Sequence, residues 1–244
     1  MFNLKLYEGT IENFKNNLSE ISENLEYFLD KTLIVGNDFG GPSIYFHKKA
    51  LLEQKNNFLS DEHLNMIYAV MPSWGMHRMG SKGAKMVNFD IFKKEIMKNI
   101  TEINELKNRD YQNINIDNIA KLITEKIHVS KSFSYLVSSS KVLHHIIPEI
   151  FCPIDRNYSL RFMKYNKNHW GSKAINVNNE YAYAYIFYTQ MYNFLNINEK
   201  IMSEYIIEVN NENINDINFN TSLTKIFDNL IMAYVKEYMG ELFE

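Results

Sequence analysis

One lysine and one aspartate, 14 positions apart, have the types and the setting to do chemistry in this chain. Lys141 follows Ser138, Ser139 and Ser140, which read as a small-residue turn, and heads a short apolar helix that Pro148 ends. Pro153 keeps the chain extended up to Asp155, which is expected to cap the following helix, with Arg156, Tyr158, Arg161 and Phe162 on or beside it. The partial positive charge of a helix N-terminus favours a carboxylate there, and an aimed carboxylate can stabilise positive charge developing on a substrate. A lysine made partly neutral by burial can attack carbon. The plainer alternative is structural: an N-cap aspartate, an exposed helical lysine, and a simple pairing of the two.

Two further stretches have the composition of ligand loops. Gly36–Ser43 contains Asn37, Asp38 and Phe39 and leads into a helix with Tyr45 in its first turns. Trp74–Lys85 combines Trp74 with His77, Arg78, Lys82 and Lys85. Between them they hold six glycines, which let backbone approach a ligand, while the aromatic side chains suit stacking on an unpaired base and the cations suit phosphate. Neither matches a P-loop, because no Gly-Lys-Ser/Thr closes it. A plain inter-helix loop and a buried Trp74 are the competing readings.

The stretch from about 130 to 165 resembles the catalytic core of the helix-hairpin-helix DNA glycosylases: a hairpin, a lysine, an apolar helix, then x-Pro-x-Asp entering another helix. The resemblance implies an all-α, two-lobed fold with a cleft between lobes, formed by residues 1–244 as one domain. It makes Asp155 the catalytic carboxylate and Lys141 the candidate nucleophile. Phe39, Asn37, Asp38, Tyr45, Trp74 and His77 would then bind a nucleotide flipped out of DNA. Arg78, Lys82, Lys85, Arg156 and Arg161 would hold phosphates, with Ser138, Ser139 and Ser140 where the family has hairpin glycines. Besides that replacement, the chain departs from the family in a short Lys-to-Asp spacing. The glycines and hydrogen-bonding groups of the two loops suit a bulky modified base of foreign DNA. Repair of damaged purines and non-catalytic DNA binding are the alternatives. No cofactor or metal is expected.

These residues need helices to position them, and the periodicity supplies helices. Ile11, Phe14, Leu18, Ile21, Leu25 and Phe28 predict one amphipathic helix, followed by a short extended piece at Lys31–Val35. Ser60 caps a helix that Pro72 ends; Phe89 to Leu106 reads as continuous helix, and Asp117 as the cap of another. Tyr181 to Leu195 and Thr221 to Tyr238 predict two long aromatic helices. Adjacent His144 and His145 point about 100° apart on a helix, so one is expected packed and the other exposed.

The chain has 244 residues, 45% hydrophobic and 14% aromatic, enough for a substantial core. A single cysteine, Cys152, excludes an internal disulfide and all-cysteine clusters. The N-terminal residues lack a signal-peptide pattern, and no apolar run spans a bilayer, so a reducing cytoplasm and no membrane partner are expected. Net charge is −3, yet Trp74 to Lys173 holds 17 Lys and Arg against 9 Asp and Glu, a basic middle suited to DNA.

Overall fold

A computed structural model describes residues 3–38, 41–76, 85–131, 134–165, 167, 179–211 and 219–240. Among them the chain is all-helical, with a lone antiparallel bridge between Met86 and Ser130. It divides into two units: Met1–Asp38 with Ile154–Glu244, and Phe39–Pro153.

The first unit is built around one buried helix. It comprises α1 (Glu8–Glu23), α2 (Leu25–Asp38), and, numbered in chain order, α9 (Ser159–Lys164), α10 (Glu180–Asn211) and α11 (Leu223–Met239). Every residue of α11 from Thr224 to Val235 is buried, as expected of a helix that is apolar nearly all round. Ser222 starts it by accepting from the Lys225 N–H. Phe14 of α1, on the apolar face read from the sequence, stacks on Phe187 of α10 and meets Phe162 of α9 edge-on, both at 5.7 Å, which makes these rings a seam of this core. Asn17 closes the end of α9 by donating to the carbonyls of Phe162 and Tyr165, each at 2.7 Å.

The second unit is likewise organised on a buried helix, α8 (Leu136–Ile146), whose residues from Ser138 to Ile146 are all buried. Around it come α3 (Pro42–Asn56), α4 (Asp61–Met71), α5 (Phe89–Lys98), α6 (Ile100–Lys107) and α7 (Ile116–Lys121). Pro42 sits in the first turn of α3, behind Gly41 at φ 75°, and Ser60 caps α4 by accepting from the His63 N–H. A kinked turn, Pro72–Met76, continues α4 beyond its proline and leaves helical backbone at Trp74 and Gly75, the latter at φ 81°.

Several boundaries differ from the expected ones. The first helix is two, because Asn24 turns its backbone out of helix and donates its amide to the Glu20 carbonyl. The residues Lys31–Val35 are helical in α2, which continues through Gly36, Asn37 and Asp38 where a loop was expected. Asn99 divides the helix expected from Phe89 to Leu106 into α5 and α6, and Asn115, not Asp117, caps α7. Each break falls at an asparagine, whose short amide competes with the helical backbone for hydrogen bonds.

Candidate functional site

The helix carrying Lys141 opens five residues earlier than the sequence suggested. Ser138, Ser139 and Ser140 lie inside α8 rather than in a turn. Their hydroxyls donate to the carbonyls of Tyr135, Ile127 and Val137 respectively. The apolar surroundings of α8 favour continuing the helix, and serine tolerates this by bonding back to the preceding turn. A serine turn cradling phosphate is therefore absent from the structure.

Lys141 is 7% exposed, and its ammonium donates to the Trp74 carbonyl at 2.8 Å. Lys85 donates in the same way to the Gly75 carbonyl at 2.8 Å. Two lysines thus meet consecutive carbonyls of the kinked turn that follows α4, carbonyls that the helix leaves without helical partners. The Trp74 indole lies near-parallel to His47 and His144, with ring centres at 5.3 and 6.0 Å. His145 stands across it at 4.6 Å and 63°.

Four histidines of this unit, His47, His63, His144 and His145, are each 0% exposed. The expectation of one packed and one exposed residue at 144 and 145 fails because α8 is enclosed on every side. Their partners define protonation, since a carbonyl only accepts. His144 Nδ1 faces the Phe151 carbonyl at 2.7 Å, and His145 Nδ1 faces the Lys141 carbonyl at 2.8 Å, so both Nδ1 atoms carry hydrogen. His63 is opposite: its Nδ1 accepts from the Leu59 N–H at 3.1 Å, and its Nε2–H donates to the His145 carbonyl at 3.1 Å. Burial pushes its pKa down to about 4, against the opposing effect of its bond to the His145 carbonyl. Among the described residues no cluster of three or more His, Cys, Asp or Glu could hold a metal ion.

Asp155 belongs to the other unit and is half-buried. Its carboxylate accepts from the Asn157 N–H at 2.7 Å, closing an Asx turn, while its own N–H donates to Ser159 Oγ at 3.0 Å. It does not cap α9, whose first residue is Ser159 and whose cap position is Tyr158. Three turn residues intervene, so the carboxylate is aimed by the local turn rather than by the helix end. Arg156 is half-buried beside it. Arg161 is 2% exposed, and its guanidinium donates to the carbonyls of Met239 and Gly240, closing the C-terminus of α11. Burial lowers its pKa. The role of Arg161 seen here is internal, in place of the surface phosphate contact expected.

The remaining expected residues are scattered in status. Tyr45 is 58% exposed on α3, with Lys49 over its ring at 5.8 Å. Asn37 and Asp38 end α2, and their side chains fall outside the described set together with Phe39, His77, Arg78 and Lys82. Part of the basic middle is locally neutralised: Lys93 pairs with Asp61, Lys121 with Asp117 at 2.6 Å, Lys126 with Glu102 at 2.5 Å and Lys167 with Glu20 at 2.9 Å. A groove of about 220 Å³ between α1 and α10, lined by Lys15, Leu18, Gln190 and Phe194 among others, contains none of the expected site residues. Sequence reading missed the convergence of His47 and His63 on α8; nothing in their spacing signals it, because they come from separate helices.

No helix among the described residues is long and apolar enough to cross a membrane. No family model matches the chain, and neither a curated protein nor a solved structure does.

Proposed function

We propose that the chain is a DNA glycosylase that flips a modified or damaged base out of DNA and cleaves its N-glycosidic bond. The observation that carries the reading is the half-buried Asp155 carboxylate, fixed in direction by the Asn157 N–H and followed by Arg156. Breaking an N-glycosidic bond develops positive charge on the sugar, and a carboxylate already aimed stabilises that charge without reorganising. Asp155 would also orient the attacking water, and Arg156 would contact phosphate. In the other unit, exposed Tyr45 offers a stacking face for a base, and Lys85 and Lys141 offer cations. Lys141 is given its role by the resemblance; held as a donor to the Trp74 carbonyl, it acts as a cation, and the product is an intact abasic site.

The substrate class we favour is a bulky modified base, as in foreign DNA, with defence as the role. Gly41 and Gly75 both have positive φ, and a Cβ on either would meet no atom of the described residues within 4 Å. Damaged purines are the second substrate class.

The test is excision on DNA carrying bulky cytosine modifications, on unmodified DNA, and on oligonucleotides with oxidised purine or uracil, followed by alkali. Strand breaks confined to modified DNA are expected. Asp155→Asn should abolish them, because the amide keeps the turn but cannot stabilise a cation. Retarded DNA without breaks would leave a binding protein, and breaks with undiminished rate in Asp155→Asn would remove the assignment.

A further inference from the structure

The buried histidines of the second unit have a proton arithmetic that the proposed chemistry does not use. His47 Nδ1 and His145 Nε2 face each other at 3.0 Å. His145 Nδ1 already carries hydrogen against the Lys141 carbonyl. If His145 is neutral, its Nε2 is a lone pair and His47 Nδ1–H must donate to it. If His145 is cationic, its Nε2–H donates and His47 Nδ1 accepts. The line between the rings therefore holds one proton in either case. A second proton there would set N–H against N–H in a fully buried space.

The pair is joined to Lys141 by two routes. One is direct, through the Lys141 carbonyl that accepts from His145. The other runs through Trp74: its ring lies on His47 and against His145, and its carbonyl receives the Lys141 ammonium. Other groups act on this cluster. His144 stands on α8 with its ring 3° from parallel to His47, and His63 of α4 holds the carbonyl of His145. Glu53 of α3 and Lys107 of α6 act electrostatically on His63 in opposite senses. A positive charge added to the pair is unscreened by water and repels the ammonium of Lys141.

We infer that His47 and His145 are positioning residues for Lys141: the proton they share fixes the rings against which Trp74 lies, the Trp74 carbonyl holds the ammonium, and a proton added to the pair leaves that shared proton in place but sets a second cation beside the ammonium and weakens the hold. The inference rests on the glycosylase reading only for what Lys141 then does to DNA. As a device of the fold it would make the site's cation pH-dependent within one unit.

The test reads Trp74 on the protein without DNA. Trp170→Phe leaves Trp74 the sole indole of a chain with two tryptophans. A protonated imidazole in contact with indole quenches its emission, so acidification from neutral pH is expected to produce a one-proton loss of fluorescence. His47→Phe keeps a ring against Trp74 but removes the nitrogen line, and should abolish or displace that step. His47→Gln, which keeps a polar group and has no titration, is the second variant and should do the same if the phenylalanine variant is unfolded by circular dichroism. An unchanged step in the folded variant, or no step in the parent before unfolding, overturns the inference. On modified DNA, His47→Gln should shift the acidic limb of the kcat/KM profile and leave its alkaline limb. Loss of the glycosylase reading would remove this second measurement and leave the fluorescence result decisive.

Discussion

Each unit of this protein buries polar groups around a largely enclosed helix, but the two cores do so with different chemistry. On α11 the Lys225 ammonium, 1% exposed, donates to Asp228 at 2.5 Å and Asn229 at 2.8 Å, and lies over the Phe219 ring at 4.3 Å. Asn229 passes a hydrogen bond to Asn220, and Asn220 passes one to Thr32 of α2, each at 2.8 Å. Every one of these donors has a fixed role. The imidazoles around α8 do not: each ring nitrogen donates or accepts according to its tautomer, and each ring can take up a further proton. A core of charges and amides specifies one arrangement; a core of histidines specifies an arrangement conditional on protons.

The largest test of that contrast breaks the fixed network. Asp228→Ala strands a buried ammonium and should lower stability by about 3–5 kcal/mol in urea unfolding. The double variant Lys225→Met with Asp228→Leu should recover most of the loss, because apolar residues of similar volume need no compensation. A single variant costing less than about 1 kcal/mol would mean that the network is not holding α11.

The conditional core should show itself through acid. His63 is pushed below its ordinary 6.5 to about 4, with burial as the main cause. The folded state therefore favours the neutral form. Its contribution is fully present above pH 6.5 and is lost as pH falls through the folded value near 4, by at most about 3 kcal/mol. Protonating Nδ1 also breaks the bond from the Leu59 N–H, where the backbone sits at φ 57°. Urea midpoints measured from about pH 7.5 to 4.5 should fall, and His63→Asn should flatten that slope. A steep slope retained in His63→Asn would assign it elsewhere.

Two smaller effects sharpen the comparison. The single Tyr234 hydroxyl hydrogen is shared between Glu20 Oε2 at 2.9 Å and Asn17 Oδ1 at 3.1 Å, and burial followed by the Glu20 carboxylate raises its pKa, so it stays a donor. Tyr234→Phe should cost about 1–2 kcal/mol, with no change in the acid slope. Asp155→Asn should cost well under 1 kcal/mol, roughly the difference between two good acceptors for the Asn157 N–H. A large loss there would make Asp155 a structural residue and remove the carboxylate from the proposed chemistry.

The helical periods and the cap at Ser60 are legible in the sequence, because each depends on neighbours within one or two turns, whereas the seam of Phe14, Phe162 and Phe187 joins three separate helices. From the same local rules come the lysine, the two prolines and the aspartate in order. What no local rule reaches is which groups end up enclosed. Ser138–Ser140 read as a turn and fold as helix, since tertiary burial of α8 outweighs serine's preference for turns. Arg161 reads as a surface cation and is drawn inward by the open carbonyls of a helix 78 residues away. His47 and His63 meet His145 across 98 and 82 residues, and only that meeting makes them a site. Sequence determined the elements and their punctuation, whose energies are local; tertiary structure decided burial and proton placement, which depend on groups the chain brings together only by folding.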